Sequence, residues 1–101
     1  MTTLSILIVT YNSGQAIQGC LEALFASPDP SREIIVVDNA SIDDSVAKIR
    51  AYGERITLVE SPVNRGFAGG MNVAARQATG DVLVLLNPDA RPEAGWADAL
   101  R

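Results

Sequence analysis

The chain has 101 residues, 48% of them hydrophobic and 20% charged, which fits one small globular domain and is too short for two. Eight basic residues against twelve acidic ones give a net charge of -4. Because the basic residues are scattered along the chain, nucleic acid is not an expected partner. The chain has no histidine and one cysteine, which excludes imidazole bases, Cys/His pairs, zinc clusters and internal disulfides. Carboxylates and amides remain as candidate functional groups.

Location and membrane contact follow from the apolar pattern. The longest apolar run, residues 82–86, is far too short to cross a bilayer, so no direct membrane span is predicted. The N-terminus lacks the basic-then-apolar pattern of a secretion signal. The sequence therefore predicts a cytoplasmic protein, with Cys20 buried as a small apolar residue among helix positions.

Four short runs rich in β-branched residues predict strands buried on both faces, at residues 4–9, 34–37, 56–59 and 82–86. The segments between them have helical spacing. A first helix follows Asn12, a second begins at the Ser41-x-x-Asp44 start signal, and an alanine-rich third is closed by Gly80 as its cap. This alternation predicts an α/β fold, a Rossmann-like, mostly parallel sheet flanked by helices with right-handed crossovers.

Residues 92–101 have the pattern of a further helix that stops before it is complete. Trp96 and Leu100 would then lack apolar neighbours. Loose apolar ends of this kind seek partners, so we expect the chain to be truncated, a piece of a longer protein.

The candidate site lies where the predicted strands end, because open parallel sheets bind ligands beyond the carboxyl ends of their strands. All four strand ends carry polar residues. They are Thr10, Tyr11 and Asn12 after the first strand, Asp38 and Asn39 at the end of the second, the glycine-rich segment 64–70 after the third, and Asn87 and Asp89 after the fourth. Together they predict one site on one edge of the sheet.

Asp38 and Asn39 allow two interpretations. The Asp38 carboxylate can accept hydrogen bonds from the ring N–H or ribose hydroxyls of a nucleoside, or it can cap the helix that follows. The Asn39 amide suits the mixed donor and acceptor edge of a pyrimidine, and it also suits a plain turn.

Residues 64–70 hold three glycines just ahead of the third predicted helix. Such a segment lets backbone N–H groups approach an anion, and Arg65 adds a fork of donors for phosphate. The glycines match neither the dinucleotide-binding nor the P-loop pattern, and the only lysine, Lys48, lies elsewhere. The alternative is a loop that needs glycine for tight turns.

Asp89 follows the most apolar strand and a proline. Magnesium and manganese are commonly held by one or two carboxylates together with substrate phosphates and water, so a single aspartate can suffice. The alternative is an ordinary turn aspartate.

Three segments, ILIVTYN, EIIVVDNASIDDS and NRGFAGGMNVAARQATGDVLVLLNPDA, resemble in order and spacing the nucleotide-binding half of family-2 glycosyltransferases of the GT-A fold. The similarity runs from about residue 4 to residue 90. It implies that residues 1–101 are the nucleotide-sugar-binding part of such a domain, without its acceptor-binding part. The catalytic base is then expected beyond residue 101, and the chain alone should bind nucleotide without transferring sugar.

The resemblance also implies residue roles. The residues implied to contact the base and ribose are Thr10, Tyr11, Asn12, Asp38 and Asn39. Those implied on the diphosphate side are Arg65, Gly66 and Asn72. Asn87 would contact the sugar, and Asp89 would bind the metal, Mg²⁺ or Mn²⁺. Two departures stand out, since Asn87 replaces the first acid of the family's Asp-x-Asp and Asn39 replaces the second of two adjacent acids.

These forms resemble the branch that transfers rhamnose and related deoxysugars in polysaccharide assembly. The implied reaction is hexosyl transfer from a nucleotide diphosphate sugar to a glycan or lipid-linked acceptor, at the inner face of the membrane. The implied donor is dTDP-rhamnose, with a UDP-sugar as the second choice. The metal on Asp89, with Arg65, would neutralise charge on the leaving diphosphate.

Two other classes of protein compete with this hypothesis. One is a receiver-like regulatory module with Asp38 as phosphoacceptor, although the first strand ends in Thr10 and Asn12 where such modules need carboxylates. The other is a non-catalytic α/β module that binds nucleotide, or docks a partner through Trp96 and Leu100. In a pure interaction domain, substitution of Asp38 and Asp89 would change nothing.

Overall fold

The computed structural model describes residues 2–27 and 29–100. Its strands are β1 (Leu4–Thr10), β2 (Arg32–Asn39), β3 (Thr57–Ser61) and β4 (Val82–Leu86), and its helices are α1 (Gly14–Ala26), α2 (Ser45–Arg50), α3 (Gly66–Gln77) and α4 (Trp96–Ala99), with a short 3-10 helix at Gly53–Arg55. The sheet has the order β3-β2-β1-β4, and every neighbouring pair is parallel. The predicted α/β fold is confirmed.

The sheet separates two apolar layers, because alternate residues of a strand point to opposite faces. On one face, Ile6 and Ile8 of β1 pack with α1 and α2 residues such as Leu21 and Ile49. On the other, Leu7 and Val9 pack with Met71 and Ala74 of α3. The two central strands are therefore buried on both faces, as predicted for parallel strands covered by helices.

The outer strands differ from the prediction that they are buried on both faces. In β4, Leu83 and Leu85 are 46% and 56% exposed. They lie beside Ser5 and Leu7 in the register, on the face that α3 covers. The single helix α3 contacts β1 and β2 and leaves the β4 side of that face open.

Three predicted helix boundaries are wrong: the start and the end of the third helix, and the start of the second. The third helix begins at Gly66, so residues 66–70 are helical, and it ends before Ala78. Gly80 is not its cap but packs against Ser5, where an added Cβ would lie 2.6 Å from the Ser5 hydroxyl. The second helix begins at Ser45 after Asp44, which leaves Ser41 free for a different role at the site.

The last predicted helix is a single turn, α4. Trp96 packs against the α1 and α2 layer and Ala97 is buried, whereas Leu100 is 47% exposed; Arg101 lies outside the described residues. Across the two described stretches of chain, no helix combines the length and apolar character needed to span a bilayer.

Candidate functional site

The carboxyl ends of β1 and β2 bring Thr10 and Asp38 side by side. They are direct partners in the parallel register, and the Thr10 hydroxyl donates to Asp38 Oδ1 at 2.6 Å. Thr10 is fully buried and Asp38 is 2% exposed. Both predicted site residues therefore lie beneath the surface of the edge, and Thr10 can influence a ligand only through Asp38.

Asp38 also holds the chain that follows it. Ala40 has a φ of 56°, a left-handed conformation that turns the backbone back toward the strand end. Ser41 then donates its N–H to Asp38 Oδ2 at 2.9 Å and its hydroxyl to Oδ1 at 2.7 Å. A carboxylate oxygen can accept two hydrogen bonds, and Oδ2 accepts that of the Ser41 N–H. A carboxylate so buried and bonded is poorly placed to accept a phosphoryl group, which argues against a receiver-like module.

The start of α1 is capped by side chains from residues 41–45. Three consecutive backbone N–H groups donate across the edge, from Asn12 to Ser41 Oγ (2.8 Å), from Ser13 to Ser45 Oγ (2.9 Å) and from Gly14 to Asp43 Oδ2 (3.1 Å). In return, Asn12 Oδ1 accepts from the N–H of Ile42 at 2.9 Å. The N–H groups of Asn12, Ser13 and Gly14 are thus occupied from within the protein, where an open helix start would offer them to an anion.

The same contacts change the pKa of the Asp43 carboxyl. Hydrogen bonds from the hydroxyl and N–H of Ser45, with that from Gly14, lower the pKa of the Asp43 carboxyl below its ordinary value. These bonds stabilise the charged form. Asp43 is therefore an ionised carboxylate at the positive end of α1.

A first cleft of about 300 Å³, here named the Tyr11 cleft, lies between β1 and the start of α3. Its lining is Val9, Tyr11, Ser13, Asn39, Asn64, Gly66, Phe67 and Pro88. The Tyr11 and Phe67 rings are each 54% exposed. Exposed aromatic rings of this kind can stack on flat ring systems such as a base.

Asn39 fixes one wall of the Tyr11 cleft. Its Nδ2 donates to the Gly66 carbonyl at 3.0 Å, and its Oδ1 accepts from the Arg65 N–H at 3.3 Å. Gly66 has a φ of 73°, a conformation that favours glycine. Asn39 itself is 1% exposed, so its amide positions the start of α3 and offers little surface to a ligand.

Arg65 stands just before α3 with its side chain exposed. Its Nε donates to Ser61 Oγ at 3.2 Å, while its two terminal nitrogens have no hydrogen-bond partner among residues 2–27 and 29–100. Asn72 is exposed two turns further along the same side of the helix, about 10 Å away along the axis. Arg65 therefore presents two terminal nitrogens without partners at the edge, and Asn72 lies farther from the edge.

The fourth strand ends in a tight turn, in which the N–H of Ala90 donates to the Asn87 carbonyl at 3.0 Å. Pro88 occupies the second turn position, which its fixed φ favours. Asp89 then lines a second cleft of about 470 Å³, here named the Asp89 cleft, with Asn12, Ser13, Gln15, Ala16 and Arg91. Ser13 lines both clefts.

The Asp89 carboxylate is exposed and, within the described chain, has neither a hydrogen bond nor an ion pair. A free carboxylate among amide and hydroxyl oxygens fits Mg²⁺ or Mn²⁺. The described residues contain no group of three or more His, Cys, Asp or Glu side chains that could hold a metal. A cation here would accordingly need oxygens from a bound phosphate to complete its coordination.

Cys20 lies beneath this turn, fully buried as predicted, with its thiol 3.9 Å from the Asn87 carbonyl. Burial raises the pKa of the Cys20 thiol to about 11, the Asp89 charge adds to the effect and Arg91 opposes it. Cys20 is therefore a protonated packing residue at neutral pH.

The structure thus distributes the predicted site residues over three places. Tyr11, Asn39 and Gly66 line one cleft, Asn12 and Asp89 line the other, and Thr10 and Asp38 lie beneath them. Arg65 stands beside the first cleft, while Asn72 and Asn87 line neither. Four further residues at these clefts and loops were not predicted from the sequence: Ser41, Asp43, Phe67 and Arg91. Only Phe67, an apolar residue in a glycine-rich polar segment, gave a local signal.

Comparison with known proteins places this geometry in a family. A mannosyltransferase of Pyrobaculum calidifontis, solved with GDP-mannose and Mn²⁺, superposes with a TM-score of 0.82 at 32% identity over 88% of this chain and 28% of its own. TarS of S. aureus in complex with UDP gives a TM-score of 0.87 at 27% identity over 97% of this chain and 31% of its own. The GT-A architecture is confirmed.

An uncharacterised glycosyltransferase of Haemophilus influenzae is 33% identical over 86 residues, which are 85% of this chain and 29% of the relative. The chain spans about a third or less of the length of the curated relatives it matches. The sequence model of glycosyl transferase family 2 matches residues 5–100. Since that match covers nearly all of the sequence, the chain belongs to glycosyl transferase family 2.

Proposed function

We propose that this chain is the donor-binding part of a glycosyltransferase that moves a hexosyl group from a nucleoside diphosphate sugar to a glycan or lipid-linked acceptor in cell-surface polysaccharide assembly. The observation that carries the proposal is that the two clefts are neighbours, with Ser13 in the lining of both. An aromatic-lined cleft beside a free carboxylate matches a ligand with a flat base at one end and a charged diphosphate at the other.

The nucleoside would occupy the Tyr11 cleft. Its base would stack on Tyr11 or Phe67, and a ring N–H or a ribose hydroxyl would donate to Asp38 Oδ2, with Asn12 at the ribose side. The donor that we propose is dTDP-rhamnose, with a UDP-sugar as the second choice. The resemblance of the Asp-Asn-Ala-Ser and Asn-Pro-Asp segments to the rhamnose-transferring branch supports the first, and the UDP complex of TarS supports a pyrimidine base.

The diphosphate would lie between Arg65 and Asp89, with Asn72 behind Arg65. Asp89 would hold Mg²⁺ or Mn²⁺, as its free carboxylate allows, and Asn87 would face the sugar. When bound, the cation would offset the negative charge that develops on the departing diphosphate. The Arg65 N–H groups would contribute to the same end by binding phosphate oxygens. The Mn²⁺ in the mannosyltransferase complex supports the choice of cation.

The acceptor site and the general base belong, in this proposal, to parts of the protein outside the present chain, which spans a third or less of its relatives. We therefore expect the chain alone to bind donor and to transfer no sugar. The proposed location is cytoplasmic, at the inner face of the membrane where lipid-linked acceptors are found.

The test is calorimetric titration of the chain with dTDP, UDP, GDP and ADP, first with MnCl₂ and then with EDTA. We expect binding of the pyrimidine diphosphates that depends on the metal. A tenfold preference for dTDP over UDP, about 1.4 kcal/mol, would support the deoxysugar donor. Binding of none of the four by a chain shown to be folded by circular dichroism would contradict the proposal, and tighter binding of GDP or ADP would contradict its pyrimidine part.

A further inference from the structure

The Arg91 side chain lies flat on the backbone of α1. A Cβ atom built on Gly19 would lie 2.5 Å from each of Cζ, Nη1 and Nη2 of Arg91. Equal distances to three atoms of a planar group mean that the guanidinium faces the Gly19 α-carbon. Any larger residue at position 19 would overlap this group. Glycine at position 19 therefore allows the Arg91 guanidinium to pack on the helix backbone.

This contact holds Arg91 at the wall of the Asp89 cleft. Among the residues that line that cleft, Arg91 supplies the positive charge and Asp89 the negative one. The two are not in contact as an ion pair, and Arg91 makes no hydrogen bond within residues 2–27 and 29–100. A guanidinium that packs on α1 beside this polar cleft thus keeps its N–H donors available.

Three backbone donors at the start of α1, beside this cleft, are already used. The backbone N–H groups of Asn12, Ser13 and Gly14 are bonded to residues 41–45. Among the residues that line this cleft, Arg91 is the positively charged donor, and its planar fork matches two phosphate oxygens at once. Since one face of the guanidinium already lies on α1, binding would immobilise it at little further cost.

We propose that Arg91 binds a phosphate group in the Asp89 cleft and that Gly19 positions it for this role. The inference deepens the proposed function and rests on it for the cation at Asp89, which would turn a cleft of balanced charge into a positive one. The phosphate can be the diphosphate of the donor or a phosphate carried by the acceptor, and the experiment separates these sources.

The experiment follows the arginine Nε–Hε signals of the ¹⁵N-labelled chain by NMR in buffer with MgCl₂. Inorganic pyrophosphate is the first probe, followed by UDP and by glycerol 3-phosphate. Arg91→Gln identifies the Arg91 signal by its loss. Arg76→Gln is the matched control, because Arg76 is exposed on α3 and its substitution removes the same charge away from the cleft.

We expect pyrophosphate to shift the Arg91 signal. We also expect its apparent Kd to rise about tenfold in Arg91→Gln, as for loss of a charged hydrogen-bond pair, and to stay unchanged in Arg76→Gln. Gly19→Ala should weaken binding in the same way, since the added methyl group displaces the guanidinium. A stronger response of Arg91 to UDP than to glycerol 3-phosphate would support the donor as source, and the reverse would support the acceptor.

An Arg91 signal that none of the three probes moves would overturn the inference, as would equal losses in Arg91→Gln and Arg76→Gln. These outcomes are distinct from failure of the proposed function. If UDP binds and none of the three probes moves the Arg91 signal, the donor site stands and the Arg91 site is wrong. If pyrophosphate moves Arg91 while no nucleotide binds, the Arg91 site stands and the donor hypothesis is wrong.

Discussion

Ser41 holds Asp38 through two hydrogen bonds, one from its backbone N–H to Oδ2 at 2.9 Å and one from its hydroxyl to Oδ1 at 2.7 Å. The same hydroxyl oxygen accepts the N–H of Asn12 at 2.8 Å. One serine therefore connects the buried carboxylate at the end of β2 with the loop that follows β1. The two loops that form the candidate site are coupled at this residue.

Ser41→Ala should loosen both loops together. It removes the hydroxyl bond to Asp38 and leaves the Asn12 N–H without its acceptor, so we expect the free energy of unfolding to fall by about 1 to 3 kcal/mol. Urea denaturation measures this loss, and calorimetry should show weaker nucleotide binding. Ser27→Ala, at the far end of α1, is the matched control. A Ser41→Ala protein as stable as Ser27→Ala would show that the coupling has no energetic weight.

Asp38→Asn tests whether the buried carboxylate is structural. The amide replaces a charge that accepts three hydrogen bonds, so we expect the free energy of unfolding to fall by about 2 to 3 kcal/mol. This loss would also contradict a pure interaction domain, in which Asp38 is dispensable.

The unmodified chain should take up no phosphoryl group from acetyl phosphate, because Asp38 is 2% exposed. Intact-mass spectrometry measures this directly. A covalent addition at Asp38 would restore the receiver-like alternative.

The sequence predicted the strand order along the chain and the edge that carries the site, because β-branched runs and the polar residues after them are local signals. It could not predict what Ser41 contacts, since an S-x-x-D pattern serves equally for a helix cap and for bonds between loops. The helical state of residues 66–70 was also missed. Glycine has a low helix propensity, and the close packing that favours it there involves Val9, a residue distant in sequence.

Gly70→Ala should destabilise the protein although alanine is the better helix former. An added Cβ would lie 2.8 and 2.9 Å from the two methyl carbons of Val9, and Val9 is 7% exposed in the layer under α3. Overpacking of this kind costs about 1 to 3 kcal/mol, more than the roughly 1 kcal/mol that alanine gains in a helix.

The matched background for this test is Val9→Ala, which removes both methyl groups. In the Val9→Ala background, Gly70→Ala should be neutral or stabilising in thermal or urea denaturation. The coupling energy from the double-mutant cycle should then offset the destabilisation that Gly70→Ala causes in the parent. Equal effects of Gly70→Ala in both backgrounds would show that Val9 is not the cause.

Asp89→Asn tests the proposed cation site. Removal of the free carboxylate should abolish the gain in nucleotide affinity on adding Mn²⁺, a loss of at least about tenfold or 1.4 kcal/mol, and leave binding in EDTA unchanged. The readout is calorimetry with UDP and dTDP. Glu93→Gln, an exposed carboxylate of the same loop, should keep the response to Mn²⁺. If Asp89→Asn responds to Mn²⁺ as the parent does, the assignment of Asp89 is wrong.

Stability at acid pH should depend on three carboxylates that join separate parts of the chain. Asp43 accepts from Ser45 and Gly14, and Asp81 from Thr3. These bonds lower the pKa of both carboxyls from the ordinary value of 3.8.

Glu33 is the third of these carboxylates. Burial acts to raise the pKa of its carboxyl, but hydrogen bonds from Ser5, Thr79 and Gly80 outweigh it and bring the pKa below 4.5. It therefore behaves like Asp43 and Asp81.

A depressed folded-state pKa means that the unfolded chain binds protons first as the pH falls. The stabilisation is fully present above the ordinary values of 3.8 and 4.5, and it is lost as the pH falls through the lower folded-state values. We therefore expect a Tm that is flat between about pH 7 and 5 and declines below about pH 4.

The variant that carries Glu33→Gln, Asp43→Asn and Asp81→Asn should melt lower at pH 7 and change less between pH 5 and 3. Glu54→Gln, whose carboxylate accepts no hydrogen bond from the described residues, should keep the parent profile. Differential scanning calorimetry across this range gives both curves. A parent Tm that stays constant down to pH 3 would mean that these bonds persist in the unfolded chain or contribute nothing.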